Sequence, residues 1–192
     1  VVGSHGENAD ILLTGSRLLV VLPIGDAEAE EVLDLGCGTA LSSAYRCVAH
    51  TSEPYHVRAL ARLRTVHGKE FVQAIVEAEM QQEAITCSMV RLAVSEKAIR
   101  QLCEQDCLRS SLAEFGEFPR RKHFGCAVAD FVRVTFGSVL IENSVLQRRS
   151  CEICCDAFNT FCSDYETLTQ VALAISSLAT HTSLGPVLID HS

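Results

Sequence analysis

This chain of 192 residues predicts an α/β fold: a doubly wound, mostly parallel sheet with helices on both faces, followed by a C-terminal antiparallel hairpin. Two observations point there. Short apolar runs alternate with stretches of helical spacing over the first half of the chain, the pattern of β-α-β units. In addition, Val32-Leu33-Asp34-Leu35 leads directly into Gly36-Cys37-Gly38. That reads as a buried strand entering a tight turn whose bare backbone admits a close neighbour.

Taken in order, residues 9–22 read as a helix, or a helix then a strand, forming an N-terminal cap. Pro23 to Glu30 is a polar connector and Val32 to Leu35 the first strand. Thr39 to Cys47 forms a short helix and Cys47 to Ala49 a second strand. Ser52 and Pro54 then start a helix as N-cap and first-turn proline. Gly68 ends that helix, and Glu70 to Ile75 and Ala84 to Val90 are the third and fourth strands. Ser95 to Leu108 is a helix with Ala98, Ile99, Leu102 and Cys103 on one face. Beyond residue 110, Cys126 to Val134 and Ser138 to Glu142 read as a hairpin joined at Phe136-Gly137. Thr167 to Leu178 is a last apolar helix and Leu184 to Ile189 a terminal strand. No internal repeat stands out.

Composition fits one globular domain, with 48% hydrophobic and 21% charged residues. No apolar run reaches the ~18–20 residues a membrane crossing needs, and no signal peptide is read. A net charge of −8 speaks against a nucleic-acid partner. The basic cluster Arg120-Arg121-Lys122-His123 reads as a solvated turn after Pro119. The ten cysteines are scattered, which suggests reduced, mostly buried thiols in a cytoplasmic protein.

Further segments extend the glycine motif. They are Ser52-Glu53-Pro54 with Ala61-Arg62, Glu70 to Glu77 (EFVQAIVE), Glu83 to Leu92 (EAITCSMVRL) and the helix from Ser95. In that order they resemble the class I S-adenosylmethionine-dependent methyltransferases over about residues 30–110, and most of all the small-molecule enzymes of ubiquinone and menaquinone biosynthesis. The resemblance implies a Rossmann-like single domain with an N-terminal cap (1–30), a cofactor-binding half (31–110) and a C-terminal half (111–192). It implies S-adenosylmethionine as cofactor and direct methyl transfer to a small-molecule acceptor held above the strand ends, mainly a proximity effect. On this reading Asp34, Gly36, Cys37, Gly38 and Ala40 hold the methionine part. His50 and Glu53 face the ribose, Ile75 and Val76 flank adenine, and Cys87 lies beside the transfer centre. The acceptor-side base is not carried over.

The departures fall on the cofactor. Ala40 replaces the motif's third glycine, His50 stands where the family places the ribose-binding acid, and Ile75 where it places the acid facing adenine. Ser110-Ser111 replaces Pro-Gly-Gly. Loss of a diol-binding carboxylate costs about 1.5–3 kcal/mol. These departures motivate an alternative: a non-catalytic methyltransferase-like fold acting as a binding or scaffold protein. A third reading takes Cys151, Cys154, Cys155 and Cys162 as a soft-metalloid site, against the plainer one of buried thiols. His5, His67, His181 and His191 read as surface residues, and no nucleophile–base pair can be placed.

Overall fold

The computed structural model describes residues 9–45, 68–117, 122–139 and 143–180, and among them there is no strand. The helices are α1 (Ala9–Val21), α2 (Asp26–Asp34), α3 (residues 37–45), α4 (Gly68–Leu92), α5 (Glu96–Glu104), α6 (Cys107–Glu117), α7 (Lys122–Ser138), α8 (Ser144–Thr160) and α9 (Tyr165–Ala179).

The α/β expectation is therefore corrected: no Rossmann-like doubly wound sheet forms. Val32 to Asp34 end helix α2, and Leu35 is its C-cap rather than the last residue of a strand. Glu70–Ile75 and Ala84–Val90 are two stretches of the single 25-residue helix α4. Cys126–Val134 lies inside α7, which runs on through Phe136 and Gly137, so the hairpin is absent from this part of the chain. The helical readings fared better. Residues 9–21, 37–45, 96–104 and 165–179 are helical where helices were expected, although the helix from Ser95 breaks at Gln105-Asp106. Cys47–Ala49, the helix start at Ser52, Leu184–Ile189, Arg120, Arg121 and the four histidines just named lie outside the described residues.

The helices pack in two layers. In the first, α1 packs on α4, α4 on α7 and α7 on α9. In the second, α2 packs on α5, α5 on α6 and α6 on α8. Contacts of α2 with α4, α6 with α7 and α8 with α9 join the two. The result is a stack of helices in which each buries its apolar face against its neighbours.

Two units repeat closely. Asp26 and Glu96, Asp34 and Glu104, and Cys37 and Cys107 are each 70 residues apart, and each pair occupies the same position in a helix–turn–helix. The backbone bonds of the turns match. Leu35 N donates to Glu31 O, Gly36 N to Leu33 O and Ala40 N to Gly36 O; Gln105 N donates to Gln101 O, Asp106 N to Cys103 O and Ser110 N to Asp106 O. Both turns put one residue in the left-handed region, Gly36 at φ 84° and Asp106 at φ 59°.

The core runs between the layers. Ile85 and Met89 of α4, Leu108, Leu112 and Phe115 of α6, and Phe124, Phe131 and Phe136 of α7 are all buried. Phe124 packs its ring against Phe115 (centroids 5.8 Å apart, edge-on) and Tyr45 (6.1 Å, tilted). The buried Tyr45 hydroxyl is satisfied by Thr86 Oγ1 and, at 3.1 Å, by Ser111 Oγ, which ties α3 to α4 and α6. In the first layer Ser88 Oγ of α4 donates to Ser16 O of α1 at 2.6 Å, and Arg91 Nη2 donates to Leu22 O, just after α1, at 3.0 Å.

Candidate functional site

The residues expected to form a cofactor loop lie on the surface shared by α2, α3 and α5. Gly36 is the left-handed residue that ends α2, and a Cβ there meets nothing within 4 Å. Gly38 is the position where bare backbone is needed for contact, and the contact is made by protein. An added Cβ would lie 2.1 Å from Gln105 Oε1 and 3.2 Å from Cys107 Sγ. Gln105 bridges the turn: its Nε2 donates to Leu33 O and its Oε1 accepts from Thr39 N, both at 3.1 Å. Ser42 Oγ donates to Gln105 O at 2.8 Å, and Cys107 Sγ donates to Gly38 O at 3.3 Å. The turn is thus filled by side chains of the following unit.

The other predicted residues disperse. Asp34 accepts a hydrogen bond from Gln101 Nε2 and lies 4.0 Å from Lys97 Nζ, on the α2–α5 seam. Beside it, Glu30 accepts from Ser95 Oγ at 2.7 Å and Lys97 Nζ at 2.8 Å. Cys37 and Ala40 are buried in the core, and burial pushes the Cys37 thiol up to about 11. Cys87 sits mid-helix in α4 rather than at a strand end; burial, then the charges of Glu83 and Asp130, raise it to about 11. Ile75 and Val76 belong to the backbone of α4, while His50 and Glu53 lie outside the described residues. Asp34 and Gly36–Ala40 are brought together by the helix turn; Cys87 belongs to a different helix.

The cysteine cluster divides. Cys151, Cys154 and Cys155 are buried on α8 and Cys162 is exposed in the turn after it. Burial raises all three α8 thiols, Cys151 to about 11. Protonated thiols are poor metal ligands. Among the described residues no group of three or more His, Cys, Asp or Glu is placed to hold a metal ion.

A cleft of about 350 Å³ opens on the second layer, between the α5–α6 turn and the start of α8. Asp106, Arg109 and Leu112 recur along one side at helical spacing; Val145, Leu146 and Arg149 form the other. Asn143 starts α8 by accepting a hydrogen bond from Leu146 N at 3.0 Å, which sets the register of that wall. The floor is apolar, with Leu112 buried and Leu146 half-buried, and Val145 is 73% exposed at the rim. Arg149 lies across the bare backbone of Gly116, where a Cβ would come within 2.5 Å of its Nη2. Arg109 and Arg149 each meet one acid, Asp106 and Glu152, at 3.5 Å.

Sequence reasoning missed Arg109, Arg149 and Asp106. The available signal was the Arg148-Arg149 pair in an acidic chain, five and six residues after the N-cap Asn143. Compared with protein-family models, with curated proteins and with solved structures, the chain matches none. No helix among the described residues is long and apolar enough to cross a membrane.

Proposed function

We propose that this chain is a non-catalytic interaction scaffold built from stacked helical units, which presents its surface to a protein partner. The observation that carries the reading is the helix–turn–helix recurring at a 70-residue offset within a two-layer stack. Such stacks offer extended surfaces rather than enclosed reaction sites. The methyl-transfer expectation rested on Gly36 and Gly38 pressing bare backbone against a nucleoside. At Gly38 that backbone is covered by Gln105 and Cys107, and Gly36 ends a helix rather than following a strand, so the expectation has lost the feature that motivated it. The nine described cysteines are unpaired, which supports placing the protein in a reducing compartment such as the cytoplasm.

Two measurements test the reading. Calorimetric titration with S-adenosylhomocysteine should give no binding heat; saturable binding at micromolar concentration would overturn the proposal. Peptides selected from a random display library on the folded protein should protect helical amides of neighbouring units from hydrogen exchange. Protection centred on residues 34–40 by S-adenosylhomocysteine would restore the cofactor reading.

A further inference from the structure

We propose, resting on the scaffold reading, that the α6–α8 cleft binds an acidic peptide segment: Arg109 and Arg149 take its carboxylates while an aliphatic side chain seats on Leu146 and Val145.

Charge is the first argument. The chain carries 24 acidic against 16 basic Lys and Arg residues, so a cleft lined by two arginines and one acid, Asp106, runs against its general field. A site of this sign in an acidic protein is complementary to a carboxylate-bearing segment that most of the surface repels.

The second argument is how the two arginines are held. Elsewhere on the surface, cations meet their acids closely: Lys122 and Asp164 at 2.6 Å, Arg100 and Glu96 at 2.7 Å, Arg148 and Glu152 at 3.0 Å. Arg109 and Arg149 stand at 3.5 Å from theirs. Charge-assisted bonds are normally about 2.7–2.9 Å. Glu152 is shared, with Arg148 in the nearer position. Both guanidinium groups are thus aimed but loosely engaged, and their planar forks suit a bidentate carboxylate. The aiming is built in. Asp106, held at φ 59°, tethers Arg109 from the turn, and the absence of a side chain at Gly116 lets Arg149 lie flat over α6.

Between the charges the cleft is apolar: Leu146 is half-buried and Val145 stands exposed at the rim, a surface that a phosphate backbone has no use for and an aliphatic side chain covers. About 350 Å³ lies at the lower end of small-ligand pockets, room for side chains of a segment passing over it.

The test is fluorescence anisotropy with a labelled heptapeptide of sequence Gly-Glu-Leu-Asp-Leu-Glu-Gly. The expected result is saturable binding that weakens several-fold as salt rises from about 50 to 300 mM. A Gln/Asn version of the peptide and a version with Ser for Leu should each bind about tenfold more weakly. Arg109→Ala and Arg149→Ala should each cost a similar factor, Arg149→Lys should recover part, and Arg17→Ala should bind like the parent. Arg109 and Arg149 side chains are 68% and 49% exposed, so these variants keep the fold, which circular dichroism checks. Equal affinity for the acidic and amide peptides, unchanged affinity in both alanine variants, or displacement by an oligonucleotide at equal concentration would overturn the proposal. Peptide protection that maps away from α6 and α8 removes the cleft and leaves the scaffold reading standing. Binding of S-adenosylhomocysteine removes the scaffold reading itself.

Discussion

At residue scale, the glycine that most resembled a cofactor loop is a helix stop. A strand entering a tight turn and a helix ending in a left-handed residue both read as an apolar run followed by Gly, so Val32-Leu33-Asp34-Leu35-Gly36 does not separate them. The separating information lies 70 residues away, where Asp106 occupies the same position at φ 59°. Apart from Cys37 and Cys107, the two units have no identical residues between 26–45 and 96–115, so the repeat exists in conformation and burial rather than in letters. This gives a sharp expectation. Gly36→Ala forces a Cβ into the left-handed region and should lower stability by about 1 kcal/mol. Gly36→Asp, which copies the second unit, should cost about half as much because Asp tolerates that region better. Urea midpoints at unchanged slope measure both. A neutral alanine variant beside a strongly destabilised aspartate variant would remove the assigned role.

At the scale of elements, what could be read depended on whether a helix kept a polar face and a cap. The helix after Ser95 was readable because Ser95 caps it, accepting from Ala98 N at 3.1 Å, and because Ala98, Ile99 and Leu102 form one buried stripe. Helices α4 and α7 were not. α7 lies between α4 and α9, so Phe124, Val128, Phe131, Val132 and Phe136 are buried around much of its circumference and the run loses its period. Likewise Ile85, Thr86, Ser88 and Met89 are all buried on α4, which imitates a strand buried on both faces. The cap of α9 yields a pH prediction. Asp164 accepts from Thr167 N at 3.0 Å and from Lys122 Nζ at 2.6 Å. The Lys122 contact first, then the Thr167 amide, hold its carboxyl at about 2, below its usual 3.8. A carboxylate with a depressed pKa stabilises the fold above its unfolded pKa and loses that contribution as pH falls through the folded one. Thermal midpoints should therefore fall more steeply between about pH 4 and pH 2 for the parent than for Asp164→Asn, which keeps a capping oxygen without the titration. Parallel curves for the two proteins would refute the role of this charge.

For the whole molecule, the order of packing decides how damage spreads. α7 touches α4, α6, α8 and α9, whereas α2 touches α4 and α5. In a stack of this kind, stability is a sum over units and the interfaces between adjacent ones, so a lesion at one end stays there while a lesion in the hub propagates. Two buried side chains make the comparison. Leu33 of α2 and Phe131 of α7 are both fully buried. Truncation to alanine costs about 2–5 kcal/mol for a leucine and about 3–5 for a phenylalanine, a large part of the ~5–15 kcal/mol that typically holds a domain together. The energies are similar; the location differs. Hydrogen exchange read by helix should show Leu33→Ala speeding exchange in α2 and α5 while α7, α8 and α9 keep their protection. Phe131→Ala should speed exchange in every helix at once, because α4 and α9 lose their shared support. Loss of protection in all helices of Leu33→Ala, at a common rate, would mean that the molecule opens as one cooperative body and that the layered stack does not set its energetics.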